Sequence, residues 1–316
     1  MARIETVLGP IAPEALGVTD MHDHLITIGG GEVRADPDLC LPSVEKAVQE
    51  LTRFEAAGGQ ALVDMNPIGC GRAIPELLSI ARQTSVHIVA ATGFQRQIYY
   101  EETHWFYRYD VDEIAALMAS EIREGIDEHS FEGPHVRRST ARAGIIKGAS
   151  DYNVIRPLEE KLFRAIARAQ RLTGAAISTH CERGTMALEQ IELLAAEGVN
   201  PSRVVVGHVD RNPDLWYHKK IASTGAALSY DGPSRIKYYP DSVIVDLILR
   251  MVDAGYADHL VLGGDNGRAS YWKAYGGGPG LAYVLERFVP RLREEGLEES
   301  AIRKILVDNP RRILSF

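Results

Sequence analysis

His22 and His24 stand one residue apart in Val18-Thr19-Asp20-Met21-His22-Asp23-His24-Leu25, a strand-like stretch near the N-terminus. Side chains alternate faces along a strand, so these two imidazoles project the same way while Asp23 projects the other. Two imidazoles on one face can grip one metal ion. Lys147, His180, His208 and Asp265 follow, each at the end of its own apolar run. A single histidine at a strand end is an ordinary hydrogen-bonded residue, and a single lysine an ordinary ion-paired or surface one. Five separate runs ending in metal-capable groups are harder to explain that way, and they point to metal-dependent hydrolysis.

Imidazole and carboxylate suit zinc, manganese, cobalt or iron, and the lack of a thiolate cluster argues against a structural Cys-type zinc site. Lysine is the odd member, because an ammonium cannot ligate a cation. Burial lowers a lysine's pKa, and its neutral amine can then add carbon dioxide to give a carbamate. That group has two oxygens and one negative charge, enough to bridge two metals.

The elements that must position these groups can be read from the same runs. Eight short apolar stretches, at 18–25, 61–65, 87–92, 143–147, 175–180, 204–208, 226–230 and 259–265, read as strands. Helices are expected at 43–57 with Ser43 as N-cap, and at 74–84, 111–129, 157–173, 185–197, 213–223 and 242–253, with the remainder helical. Continuous apolar runs mean strands buried on both faces, as in a parallel sheet covered by helices. Eight such units predict an α/β fold, a single (β/α)8 TIM barrel over 1–316 with 1–16 as a lead-in hairpin or cap. In such a barrel, groups at the C-terminal strand ends share one mouth.

Composition bounds the partners. The 316 residues are 45% hydrophobic and 25% charged, with 35 basic against 43 acidic residues and a net charge of −8. That balance, without a Lys/Arg-rich block, leaves no footprint for nucleic acid or an anionic membrane. No apolar run is long enough to span a bilayer and Met1-Ala2-Arg3-Ile4-Glu5 lacks the core of a secretion signal, so the cytoplasm is expected. Cys40, Cys70 and Cys181 form no CxxC pair and read as buried thiols, with Cys181 turned away from the site. Neither a G-x-S-x-G elbow nor a P-loop is present.

The set His22-Asp23-His24, Lys147, His180, His208 and Asp265 resembles, in order and spacing over nearly the whole chain, the phosphotriesterase-like family of the amidohydrolase superfamily. The resemblance implies a binuclear barrel hydrolase and a homodimer. It places His22, His24 and Asp265 on the more buried metal and His180 and His208 on the more exposed one. Carboxylated Lys147 and a hydroxide would bridge the two, and Asp265 would carry the proton from the attacking oxygen to the leaving oxygen.

The substrate must be sought in the loops. Arg235 and Lys237 follow the seventh strand, and Arg268, Ser270, Tyr271 and Lys273 follow the eighth. Such loops often hold phosphate, although exposed basic residues are also simply solvated charge. The Gly-Arg-x-Ser-Tyr element at Gly267 is similar to the branch of the family that opens phosphorylated sugar lactones. Many lactonases of the family carry a tyrosine two residues after the glycine ending strand three; Gly93 is followed by Phe94 and Gln95 instead, which leaves Tyr99 or Tyr100 as substitute. The aromatic stretch 99–109 fits a pocket wall, a subunit contact or a local core. Three functions are open at this point. They are a binuclear lactonase for a small phosphorylated sugar lactone, an organophosphate, carboxylester or acyl-homoserine-lactone hydrolase with an apolar pocket, and a non-catalytic small-molecule-binding barrel.

Overall fold

The computed structural model describes residues 2–316. The lead-in folds as an antiparallel hairpin, β1 (Ile4–Thr6) against β2 (Gly9–Ile11). Eight parallel strands follow in sequential spatial order: β3 (Thr19–Asp23), β4 (Ala61–Asp64), β5 (His87–Gly93), β6 (Ala143–Ser150), β7 (Ala176–Cys181), β8 (Val204–Gly207), β9 (Ala227–Tyr230) and β10 (Leu260–Leu262). The Gly264 and Asp265 amides donate to the His22 carbonyl at 3.1 and 2.8 Å, which ties the chain after β10 back to β3 and nearly closes the barrel. The predicted barrel is the observed one.

Alternation along each strand separates two apolar layers. Ala61 and Val63 point into the barrel with Met21, Val89, Ile145, Val205 and Val261, while Leu62 between them packs outward beneath the helices. Both strand faces are therefore apolar, which is why these strands read as continuous runs. Ser43 caps helix Val44–Ala56 by accepting from the Lys46 amide, and Ala47, Leu51 and Phe54 form its buried stripe. Helix Pro157–Thr173 begins at a proline and ends at Gly174 with φ 82°, a left-handed cap that glycine adopts without a Cβ clash.

The structure corrects four boundaries. β6 runs on past Lys147 to Ser150, because its ladder with β7 continues to the Ser150–Cys181 pair. Helix Val111–Arg123 stops short of His129; Gly125 takes φ 138° and the chain turns into a loop bridged at Asp127 and Arg138. β10 ends at Leu262, since Gly263 must leave the sheet to lie against His22, whose backbone nitrogen a Cβ there would meet at 2.9 Å. Residues 263–283 are loop with short 3-10 turns, and the C-terminal helices begin only at Val284. Among the described residues no helix is long and apolar enough to cross a membrane.

Candidate metal centre

At the C-terminal mouth of the barrel the histidines meet. Ring centroids of His22 and His24 lie 5.8 Å apart, His22 and His208 4.7 Å, and His180 and His208 4.3 Å. Lys147 Nζ sits 3.3 Å from His22 Nε2. Asp265 Oδ1 is 3.6 Å from His24 Nε2 and 3.8 Å from His22 Nε2. Two residues reach this point through strained backbone: His208 has φ 61° and Asp265 φ 46°. Left-handed backbone is costly for a side chain with a Cβ and is held only where its surroundings over-determine it. Asp231 supplies that hold for His208, accepting from both its amide and Nδ1, at 3.0 and 2.5 Å.

Each ring is held by one nitrogen. His24 Nδ1 is tied to Asn66 Oδ1 at 2.7 Å and His208 Nδ1 to Asp231, which leaves Nε2 of both as donor atoms for a metal. His180 is reversed, with Nε2 tied to Glu182 at 2.8 Å and Nδ1 left over. His22 Nδ1 is buried without a hydrogen-bond partner, an expensive condition unless something else satisfies it. Ligand atoms of His22, His24 and Asp265, and those of His22, His208 and Asp231, fall within 4.8 Å of one another, so each group could hold an ion. The donor set fits divalent cations, and the Lys147 ammonium lies against His22 where such a charge would sit.

The electrostatics agree. Burial lowers the Lys147 amine, against the pull of Glu32, Asp265 and Asp231. Burial and the neighbouring Lys147 and His208 push His22 well down, burial and Arg211 do the same to His208, and burial brings His180 to about 4. For His24 burial is outweighed by the bond to and charge of Asp265, which raise it to about 9. Asp265 resists its burial through His24, His208 and Arg211 and stays well below the usual carboxylate range.

The cavity over this centre, about 230 Å³, is lined by His22, His24, Lys147, His180, His208 and Asp265 together. Tyr99, Arg235, Lys237, Arg268 and Tyr271 also line it. Ser270 and Lys273 do not. Ser270 bonds Asp38 through both its amide and Oγ, at 3.0 and 2.6 Å, and Lys273 pairs with Glu286 at 3.2 Å. Arg235 is a brace: it is 4% exposed, donates to the Gly264 and Asp265 carbonyls at 2.6 Å each, and stacks 4.0 Å from the centroid of Tyr271. Arg268 is paired with Asp36 at 2.5 Å. Of the aromatic stretch, Tyr99 reaches the cavity, whereas Tyr100 and Phe106 are buried in a local cluster with Trp105.

Several residues at the mouth escaped the sequence reading. Asp231 directly follows β9 and satisfies the same strand-end rule that picked out the histidines. Arg211 lies three residues past His208, is almost fully buried, and donates to Asp265 Oδ2 at 2.5 Å. Glu182 lies two past His180 and joins Arg96 at 3.1 Å. Nothing in the sequence marks Glu32, which the loop after β3 carries onto the cavity wall.

Comparison with known proteins gives the same answer over the whole length. Residues 2–314 match the Phosphotriesterase family. A phospho-furanose lactonase of Mycoplasmopsis synoviae (strain 53) is 40% identical over 321 residues, 98% of this chain and 91% of the relative. The crystal structure of an amidohydrolase from Mycoplasma synoviae superposes with a TM-score of 0.97 at 39% identity, covering 100% of this chain and 92% of the other. That of a lactonase from Listeria monocytogenes gives 0.92 at 36% identity, covering 99% of both chains. With strand order, mouth and sequence all in agreement, the chain belongs to the phosphotriesterase family of hydrolytic enzymes.

Proposed function

We propose that this enzyme opens a small phosphorylated sugar lactone. The observation that carries the reading is the placement of Lys237, Arg268 and Tyr271 on the wall of the cavity that holds the histidines and Asp265. A dianionic phosphate can take charge-assisted bonds from both cations, bidentate from arginine. Relatives named phospho-furanose lactonase, at 40% identity, support it. Leu39 is the one aliphatic side chain on that wall among the described residues, which offers little to a long acyl chain or an alkyl ester.

In this reading His22, His24 and Asp265 would hold one divalent ion and His180 and His208 the other, with zinc, manganese, cobalt or iron all compatible. Lys147 Nζ lies 3.3 Å from His22 Nε2 on the wall of the same cavity. Its neutral amine could add to the carbon of CO2 and lose a proton, and the resulting carbamate would give Lys147 a negative charge suited to holding divalent ions. Divalent ions held there would supply a lowered pKa for water and polarisation of the lactone carbonyl. Asp265 accepts the proton of the attacking water and returns it to the ring oxygen as the C–O bond breaks. Arg211 holds Asp265 in place, while Asn66, Glu182 and Asp231 fix the histidine rings. Lys237 and Arg268 orient the substrate by its phosphate.

The test is a pair of five-carbon γ-lactones, with and without a 5-phosphate, given to wild type and to Arg268→Ala and Lys237→Ala. The phosphorylated lactone should be strongly preferred, and each variant should lose about 10- to 100-fold in kcat/KM on it while changing little on the other. Preference for the unphosphorylated lactone, with both variants neutral, would remove the phosphate from the proposal.

A further inference from the structure

We propose that Glu32 selects the substrate by accepting a hydrogen bond from the hydroxyl on the carbon next to the scissile carbonyl, an inference that rests on the sugar-lactone reading above. Glu32 stands in the short helix Gly30–Ala35, in the loop after β3, with its side chain on the cavity wall. Its placement is fixed from two directions. A Cβ at Gly31 would sit 1.9 Å from the Tyr99 carbonyl oxygen and one at Gly30, where φ is 79°, 2.4 Å from the Gly71 amide nitrogen. Only glycines let this turn pack so closely at 30 and 31, while Gly29 is suited to its φ of 72°.

From the other side, Gln95 Nε2 donates to Glu32 Oε1 at 2.9 Å. Gln95 is 5% exposed, and its own Oε1 accepts from the Arg96 amide at 3.1 Å, so the amide nitrogen faces Glu32. Gly93 pairs with Lys147 across β5 and β6, and Gln95 lies two residues beyond it. Glu32 is thereby held on the Lys147 side of the centre.

The other carboxylates on the wall are committed to cations. Glu182 is shared between His180 and Arg96, and Asp265 between His24 and Arg211. Glu32 has no salt-bridge partner, and its Oε2 has no hydrogen-bond partner, among the described residues. Lys237 belongs to the loop after β9, and Arg268, after β10, pairs with Asp36, four residues beyond Glu32 in the loop after β3. In a five-carbon γ-lactone 5-phosphate the phosphate and the carbonyl lie at opposite ends. With the carbonyl over the centre, the hydroxyl alpha to it is the substrate hydroxyl closest to the wall that Lys147 and Glu32 share, and so the one offered to Glu32 Oε2. Glu32 Oε2 has an open acceptor position on the cavity wall, which a substrate hydroxyl fills as donor. A bare methylene there would leave the desolvated carboxylate unpaired.

The deciding measurement is kcat/KM for two phosphorylated lactones differing only in that hydroxyl, the second being the 2-deoxy compound. Wild type, Glu32→Ala and the near-isosteric Glu32→Gln are compared, with calorimetric binding of the two ring-opened phosphorylated acids as a second readout. Wild type should favour the hydroxylated member by about 10- to 100-fold in both readouts, and the ratio should fall toward one in Glu32→Ala. An absent preference in wild type, or equal losses on both compounds in both variants, overturns the assignment in favour of a structural carboxylate. If wild type turns over neither lactone, the sugar-lactone reading falls and this inference falls with it, an outcome distinct from turnover without discrimination.

Discussion

A lysine with 1% of its surface exposed pays for its charge in lost hydration, and Lys147 is buried that deeply among three imidazoles. Its amine is shifted below the ordinary lysine value, so at a given pH more of it is neutral than at a surface lysine. Only the neutral form adds CO2, and the reaction releases a proton. Both facts give the same sign: assembly of the centre should rise with pH and with bicarbonate, and acidification should undo it. Chelated protein reloaded with zinc should regain bound metal faster with added bicarbonate at pH 8 than at pH 6, read by metal analysis. Lys147→Ala should lose activity by several orders of magnitude and regain part of it with millimolar acetate, a carboxylate small enough for the vacated space. Indifference of reloading to bicarbonate and pH would exclude the carbamate. Lys147 was visible in the sequence because it interrupts an apolar strand. Glu182, Arg211 and Glu32 were not, since each is defined by a partner on another loop, and no spacing within the chain encodes those pairings.

Between residue and barrel, single polar ties decide how the loops sit. Arg72, in the loop after β4, is 1% exposed at its side chain and donates to both oxygens of Glu121 in helix Val111–Arg123, at 2.8 and 2.7 Å. Glu121 also accepts from Thr92 Oγ1 of β5 at 2.6 Å, so one buried carboxylate joins a loop, a helix and a strand. Removing the guanidinium strands that carboxylate in an apolar setting. Arg72→Met should therefore cost about 3–5 kcal/mol in urea unfolding, and Arg72→Met/Glu121→Leu should recover most of it. A loss below about 1 kcal/mol in the single variant would show that water reaches Glu121. Elements of this size were legible where a local rule acts, as with the Ser43 cap and the proline that opens helix Pro157–Thr173. Their ends were legible only where such a rule marks them. Helix Val111–Arg123 has no sequence stop as strong as its capping box, and β10 is shortened by a contact with His22 more than two hundred residues away.

At the scale of the whole molecule, the barrel gathers onto one mouth more ionisable groups than water would tolerate losing. The eight-strand frame was legible because burial on both faces writes each strand as an apolar run; the charge balance of the mouth was not, because it depends on how closely the strand ends converge. Burial, chiefly, raises Asp64 and Asp231 to about 7 and Asp210 to about 8, and the bond to Asp265 outweighs burial to bring His24 to about 9. In the unfolded chain carboxyls ionise near pH 4 and imidazole near 6.5. Between pH 6.5 and 8.5 the metal-free fold thus holds more protons than the unfolded chain, and its stability must fall as pH rises, by about 1.4 kcal/mol per pH unit for each extra proton. His22, His180 and His208, shifted down, are already neutral when folded in that window. They add stability only while the unfolded imidazoles finish titrating, and Lys147 opposes the trend as one group against four. Divalent ions at this mouth would displace the His24 proton and favour the ionised form of the nearby carboxylates, and binding only the folded state would add about 2.7 kcal/mol per site at a hundredfold excess over Kd. The Tm of chelated protein should drop from pH 6.5 to 8.5 while that of reloaded protein stays nearly level, so the gap between the two scanning-calorimetry curves should widen with pH. Curves that run parallel across the window would mean that the protons at the mouth and the metal do not compete for the same groups.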